Sequence, residues 1–433
     1  MSANKKLFSN SIVVIIGTVV SSVFSYLFNM VMGRKLGPAL YGDLVTLLSL
    51  LLIVNVGGNA ILNISMKYSS KLFAADKKHL IYSFIMKMGK YVFLIALLIV
   101  IIGLIFIGPI SSLLSMSNKI SLVVAYMSVF AGFLIMINKG VLQGLQKFVP
   151  ISYINSSEMI CRLLLGVLLV SLGFSLNGAI SSVVLATFMS YLVSFYFIKK
   201  YLFDSTKDLV EIKKEQDLGI GKREIISYSW PTLIAMILLT ILLNLDIIVI
   251  KYYFPPVDAG LYAAISTVAK IIFYISGPIV MVMFPVLSKQ KYSGEKHYKT
   301  LAITLLITIS MGAVILFAYY LFPKTIIAIL YGSQYAEAYR FLSFSGAFML
   351  LYSVINMLIN YYLAIERFFV LWLLAITIFA QIVMFIFYHN SIELILRLFV
   401  FTLVSLFALI VMYYLFERKQ LILSYFKNGN KKS

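Results

Sequence analysis

Residues 33–44 read "GRKLGPALYGDL", and residues 251–265 read "KYYFPPVDAGLYAAI". Each stretch sets a Gly/Pro turn ahead of Leu-Tyr and a small residue. Each also lies between long apolar runs. Leu40-Tyr41 maps onto Leu261-Tyr262 at a shift of 221. A turn made twice, at a separation near half the chain, points to a duplicated architecture.

The runs on either side define the class. The chain has 433 residues, of which 62% are hydrophobic and 12% charged. Soluble domains carry about 25% charged residues. Runs of about 20 apolar residues match a bilayer core about 30 Å thick. Twelve such runs lie near 9–32, 41–66, 85–107, 119–142, 150–173, 176–198, 227–250, 257–285, 299–322, 335–362, 367–388 and 392–416. The expected fold is therefore an all-α membrane protein with twelve transmembrane helices. A membrane β-barrel would instead show alternating segments of about ten residues. The first run is expected to be a membrane helix, because it is long and lacks the small-residue cleavage site of a signal peptide.

Charge placement predicts orientation. If the N-terminus is inside, the inner segments hold 27 of the 36 Lys/Arg, including Lys139 and Lys147. The outer loops hold five: Arg34, Lys35, Lys119, Lys251 and Lys324. Arg162, Lys270, Arg340 and Arg397 fall within runs. Cytoplasmic loops carry the excess of Lys/Arg, so both termini are expected in the cytoplasm and the chain is expected to be multi-pass in the cell membrane. The net charge of +20 then reflects inner loops facing anionic lipid headgroups, and no nucleic-acid partner is expected.

Catalytic and cofactor signatures are missing from the sequence. Cys161 is the single cysteine, and His79, His297 and His389 have no partner at metal-ligand spacing. No phosphate-cradling glycine loop and no Ser/His/Asp grouping occurs. The expectation is a non-enzyme without metal or cofactor.

The halves meet at the charged stretch from Tyr201 to Arg223. The expected organisation is a six-helix lobe over 1–200, a cytoplasmic linker over 201–224, a second six-helix lobe over 225–416 and a basic tail over 417–433. "GLQKF" at 144–148 matches "AIERF" at 364–368, a shift of 220, and "DKKHL" at 76–80 matches "GEKHY" at 294–298, a shift of 218. With six helices per half, both halves enter the membrane from the same side, as parallel repeats do. The two lobes are then pseudo-symmetric.

Further stretches carry a family resemblance. With "GRKLGPALYGDL" they are "GVLQGLQKF" at 140–148, "SSEMICRLLLGVLLVSLGFSLNGAI" at 156–180 and "NLDIIVIKYYFPPVDAGLYAAI" at 244–265. Over nearly its whole length the chain resembles the polysaccharide flippases of the multidrug/oligosaccharidyl-lipid/polysaccharide exporter superfamily. That resemblance implies two six-helix bundles around a central cavity. It also implies export of a lipid-pyrophosphate-linked oligosaccharide, an O-antigen or capsule repeat unit, with membrane lipids and loosely associated glycan polymerase or glycosyltransferases as partners. The motifs specify the family but not the cargo.

The residues supply candidate sites. Unpaired polar groups in hydrocarbon cost several kcal/mol each, so a carrier must offer sugars a polar route. Asn55, Asn59 and Asn63 recur at i, i+4 and i+8 on one helical face. Thr18, Ser22, Ser25 and Asn29 do the same, and Ser353, Asn356 and Asn360 lie in the tenth run. Each stripe either lines a cavity or holds helices together by hydrogen bonds. Ionisable residues inside a membrane are functional candidates by default. Lys270 lies about 12 residues into its run, roughly 18 Å deep at 1.5 Å per residue, with no acid one turn away. Arg162 has Glu158 at i−4, either a substrate-responsive pair or a structural one. Glu393 and Arg397 repeat the spacing near a helix end and read as structural. Asp246 binds a coupling cation or caps Lys251. The candidate substrate-binding residues are Lys270, Arg162, Asn55, Asn59 and Asn29. Glu158 and Asp246 are the candidate coupling or structural acids.

Two alternatives remain open. A drug/cation antiporter of the same superfamily would use a buried acid, with Asp246, Glu158 and Glu337 as candidates. A polysaccharide polymerase would need a sizeable outer loop, and the outer loops here are short.

Overall fold

The computed structural model describes residues 3–75, 79–116, 118–202, 222–293 and 297–429. Among these the chain is helical: α1 (Ala3–Ala74), α2 (His79–Ile105), α3 (Ile107–Leu113), α4 (Lys119–Gly144), α5 (Phe148–Leu169), α6 (Ser175–Leu202), α7 (Lys222–Tyr253), α8 (Pro256–Ser293), α9 (Tyr298–Leu321), α10 (Pro323–Tyr331), α11 (Leu342–Ala364), α12 (Phe369–Phe387) and α13 (Ile392–Gly429). A π-helical turn, Val170–Phe174, joins α5 to α6, and a 3₁₀ segment, Ser333–Phe341, precedes α11.

Among the described residues ten apolar stretches are long enough to cross a membrane, and two of them, Ile16–Ala74 and Phe148–Leu202, are long enough to cross twice. Both long stretches carry a break. In α1 it is Gly37, at φ 73° and ψ 172°, a conformation essentially reserved for glycine. Pro38 follows at the first turn of the new helix, where its missing N–H costs nothing. The second break combines Gly173 at φ 92° with Ser175 at φ 47°. Twelve spans result, as the twelve apolar runs predict.

The repeat is visible in the backbone. At the end of α4, Leu145 N donates to Val141 O, Gln146 N to Gln143 O and Lys147 N to Leu142 O. At the end of α11, Ile365 N donates to Tyr361 O, Glu366 N to Leu363 O and Arg367 N to Tyr362 O. All six donors and acceptors are related by a shift of 220. Each set contains the six-to-one bond of a Schellman cap. The short helices α3 and α10 also occupy matching places, after α2 and after α9.

Some expectations change in detail. Lys139 and Lys251, expected in loops, lie inside α4 and α7 and are buried. Arg340, expected within a span, sits in the 3₁₀ segment with its side chain mostly exposed. The helix of the last run continues past 416 to Gly429, and α8 runs through Pro278 and Pro285 to Ser293. Most of the expected linker lies outside the described residues, as do Asp76–Lys78 and Gly294–Lys296 of one repeat match.

The chain divides into two compact units. The first comprises Met1–Leu233, Pro255–Ala264 and Leu330–Gln334. The second comprises Ile234–Phe254, Ile265–Ile329 and Tyr335–Ser433. Small residues let helices approach closely where no hydrophobic drive separates helix from lipid. In the first unit Gly140 lies against the Leu62 carbonyl, and a Cβ on Gly144 would come 2.6 Å from the Met66 carbonyl, seating α4 on α1. In the second unit Gly312 faces Leu350 and Ile272, and Gly346 faces Leu316 and Tyr319. There the Tyr352 hydroxyl donates to Leu239 O at 2.8 Å and the Tyr319 hydroxyl to Val268 O at 2.7 Å. Each bond satisfies a phenol that lipid could not.

Candidate functional site

The first unit holds a buried charge cluster. Lys139 lies near the end of α4, Glu158 midway along α5, and Thr187 midway along α6. Lys139 Nζ is 3.5 Å from Glu158 Oε2, and Arg162 Nη2 is 3.4 Å from Glu158 Oε1. The Thr187 hydroxyl donates to the same Oε1 at 3.2 Å. Arg162 lies one helical turn beyond Glu158, so α5 presents both on one face. The Arg162 guanidinium stands 6.0 Å from the centre of the Phe28 ring of α1, and its buried Nε makes no hydrogen bond among the described residues.

Magnitudes decide how to read this cluster. An ion pair at about 3.5 Å gains about 5 kcal/mol at an effective dielectric of about 20. Desolvating each ion costs several kcal/mol, so the arrangement contributes little net stability. It also contains two cations and one anion, which leaves a positive charge among apolar helices. Sequence spacing finds the Glu158–Arg162 pair. It misses Lys139, because a lysine near the end of an apolar run reads as a loop residue.

The second unit holds another cationic centre. Asn244 and Asp246 lie on α7; Ser266 and Lys270 lie one turn apart on α8. Lys270 Nζ donates to Asn244 Oδ1 at 2.9 Å. The Asn244 amide nitrogen donates to Thr240 O at 2.9 Å, which turns its oxygen toward the lysine. The Ser266 hydroxyl donates to Asp246 Oδ2 at 2.7 Å. Lys270 is 7% exposed and Asp246 fully buried. Asp246 also acts electrostatically on Lys270. So the missing acid one turn away on α8 is replaced by an amide and a carboxylate of α7. Asn244 is the residue the sequence reading misses.

The polar stripes are partly open. Asn55 and Asn59 are half-buried and Asn63 exposed. Among the described residues the Asn55 Oδ1 is buried without a hydrogen-bond partner, beside Gly132, where a Cβ would come 3.2 Å from it. Asn29 donates to Ser25 O at 2.9 Å and accepts from the Tyr41 hydroxyl at 3.4 Å, while Thr18 and Ser22 are exposed. In the tenth run, Asn360 donates to Asn356, a bond within the stripe. Asp43, absent from the sequence-based candidates, is 2% exposed. Glu393 and Arg397 pair at 2.6 Å in the open, as expected of an interfacial pair. Among the described residues no group of three His, Cys, Asp or Glu could hold a metal.

The repeated turn forms a third constellation, all within the first unit. The Tyr41 and Tyr331 hydroxyls are 3.0 Å apart. Arg34 Nε donates to Leu330 O at 3.0 Å, and Gln334 Nε2 donates to Arg34 O at 3.0 Å. A Cβ on Gly42 would come 2.9 Å from Gly260 Cα, and a Cβ on Gly260 would run into the Pro38 carbonyl. Thus both turns of the repeat meet on a pair of glycines.

Several solved structures share this fold. A multidrug resistance MATE family transporter of the MOP superfamily, in an inward-facing conformation, superposes with a TM-score of 0.72 at 13% identity, covering 95% of this chain and 98% of that one. The lipid II flippase MurJ, in an inward closed conformation, gives 0.68 at 16% identity, with 94% and 87% covered. A point mutant of the Vibrio cholerae MATE transporter VcmN gives 0.64 at 12% identity, with 94% and 96% covered. These likenesses establish the twelve-helix, two-lobe fold. No curated protein matches the sequence. The family model for polysaccharide biosynthesis proteins matches residues 7–291; the chain belongs to that family.

Proposed function

We propose that the chain is a flippase that carries a lipid-pyrophosphate-linked oligosaccharide across the cell membrane by alternating access. The observation that carries this reading is the excess positive charge at Lys139, Glu158 and Arg162 within a lipid-facing bundle. A pyrophosphate brings about two negative charges, and their desolvation must be offset by cations. Arg162 and Lys139 serve it in the first unit, and Lys270 serves an anionic group in the second. Asn55, Asn59 and Asn29 meet the sugars; Asn55 already presents an acceptor with no donor among the described residues. Family membership supports a role in polysaccharide assembly, and the transporter and flippase neighbours support carriage over catalysis.

The orientation follows from the charge asymmetry. Both termini face the cytoplasm and the Gly37 and Pro255 turns face outward, with lobes over 1–200 and 225–416. Export then runs from the inner to the outer leaflet. The test is leaflet-resolved measurement of lipid-linked glycan in cells carrying the chain at matched expression. Arg162→Ala should trap the glycan on the inner leaflet; wild-type export by that variant would remove the reading.

A cation antiporter is the second reading, favoured by Asp43 and Asp246, two acids buried in apolar helices. Such a protein would confer resistance to cationic drugs and lose it with Asp246→Asn. The flippase reading expects no resistance from either form.

A further inference from the structure

Among the described residues Glu158 is the carboxylate in contact with both cations of the cluster, and the side chains come from different places: Lys139 from α4, Glu158 and Arg162 from α5, with Thr187 of α6 donating to the same carboxylate. Among the described residues no other titratable group is seen in these contacts, and α1 brings the Phe28 ring to Arg162. The carboxylate bridges the two cations from one side, using Oε2 for Lys139 and Oε1 for Arg162. Both contacts are long, at 3.5 and 3.4 Å, whereas charge-assisted bonds settle near about 2.8 Å. Glu158 therefore holds the place of an anion without binding it tightly.

We propose that Glu158 is a resident substitute anion whose displacement couples cargo binding to proton uptake. The inference rests on the anionic-cargo reading above and deepens it. A phosphate oxygen that reaches Lys139 and Arg162 must occupy the space the carboxylate now occupies. Two anions cannot share the pair at full charge, because like charges a few ångström apart in low dielectric repel. The carboxylate takes one proton from solvent, becomes a neutral acid, and turns its O–H into a donor. No covalent bond other than that O–H forms, and none breaks in the cargo. Coupling is reciprocal: a proton on Glu158 favours the anion, and the anion favours the proton. Thr187 sets the balance, since its hydroxyl stabilises the charged carboxylate in the unloaded state.

The experiment uses the full chain in nanodiscs of neutral lipid with farnesyl pyrophosphate as the probe. Binding is measured calorimetrically between pH 6 and 8 in buffers of different ionisation enthalpy, with empty nanodiscs subtracted. The protons taken up by the probe itself cancel when variants are compared. Wild type should take up more protons per bound pyrophosphate than Glu158→Gln, by up to one. Glu158→Gln should bind about tenfold more tightly than wild type at pH 8, within the usual range of coupling, with the gap closing as pH falls. Should Glu158→Gln fail to fold, Thr187→Val serves. It should tighten binding a few-fold at pH 8, where a merely structural hydroxyl would weaken it or leave it unchanged. Equal proton uptake by wild type and Glu158→Gln, or no tightening by Thr187→Val, would overturn the coupling while leaving the anion site intact. Absence of pyrophosphate binding by wild type at every pH would overturn the anionic-cargo reading itself.

Discussion

Gln146 and Glu366 stand 220 residues apart and hold the same left-handed backbone, each at φ 57°. Each closes a helix of its own half, α4 or α11, through the same three backbone hydrogen bonds. Neither is glycine, although this position at a helix end favours glycine, and the left-handed conformation costs about 1–2 kcal/mol for a residue with a Cβ. Gln146→Gly should therefore raise the apparent melting temperature of the detergent-solubilised protein by a few degrees. Glu366→Gly should gain less, because Glu366 also pairs with Lys291. The greater backbone freedom of glycine in the unfolded chain offsets part of both gains. A melting temperature lowered by Gln146→Gly would show that the cap depends on the side chain and not on the backbone.

That pair also marks how far sequence reaches. "GLQKF" and "AIERF" share only a basic residue before Phe, yet their common shift is legible because a helix end is a local event. The twelve runs are legible for the same reason: hydrophobic length is a property of the run itself. The two breaks are only half legible. Gly37-Pro38 announces a turn, but Ser175 in left-handed backbone does not. Contacts across helices are hidden altogether. Nothing in "MINKGVLQG" places Lys139 beside Glu158, and nothing local ties Asn244 to Lys270, 26 residues on. Lys139 and Lys251 mislead for one physical reason. A lysine near a run's end reads as snorkelling to water, while in the structure neighbouring helices cover both.

The glycine contact at the repeated turn gives a prediction about packing. A Cβ on Gly260 meets the Pro38 carbonyl, which belongs to backbone and cannot swing aside. Gly260→Val should lower the apparent melting temperature by several degrees, in the range of overpacked cores, about 1–3 kcal/mol. Gly277→Ala, with no atom within 4 Å of its added Cβ and in helical backbone, should not lower it. The difference between the two variants is the measurement. Equal melting temperatures would mean that the two turns do not approach as closely as the structure has them.

The Tyr41–Tyr331 contact gives a prediction about movement. Alternating access with outward-facing turns requires this seam to open. Tyr41→Cys with Tyr331→Cys, in a Cys161→Ala background, should be bridged by a short bifunctional thiol reagent, since the native rings sit 5.5 Å apart. The bridged protein should keep its melting temperature and lose glycan export, and reductive cleavage of the bridge should restore it. Export at the wild-type rate with bridging complete would mean the seam stays shut throughout the cycle, and the route for cargo would lie elsewhere.

Lys270 permits the sharpest test of charge against packing, because its partner is neutral. Asn244 offers it a single amide oxygen, so its hydrogen-bond partner carries no charge. If that charge reads an anionic group of the cargo, Lys270→Ala should abolish export at matched expression. Lys270→Arg should retain part of it, since the charge is kept while the compact ammonium geometry is lost. Lys270→Glu should be no better than alanine, because it repels the anion. The partner supplies the converse experiment. Asn244→Asp keeps the shape and the bond from Lys270 but loses the bond donated to Thr240 O, and it sets a carboxylate against the ammonium. It should still fold, since the new ion pair offsets the lost bond to Thr240 O, and it should cut export, because the lysine is then neutralised in place. A purely structural lysine gives the opposite order: Asn244→Asp exports normally and Lys270→Ala fails by unfolding. Leaflet-resolved glycan measured beside melting temperature for the four variants separates the two. Full export by Lys270→Glu would end the charge-reading role of this residue.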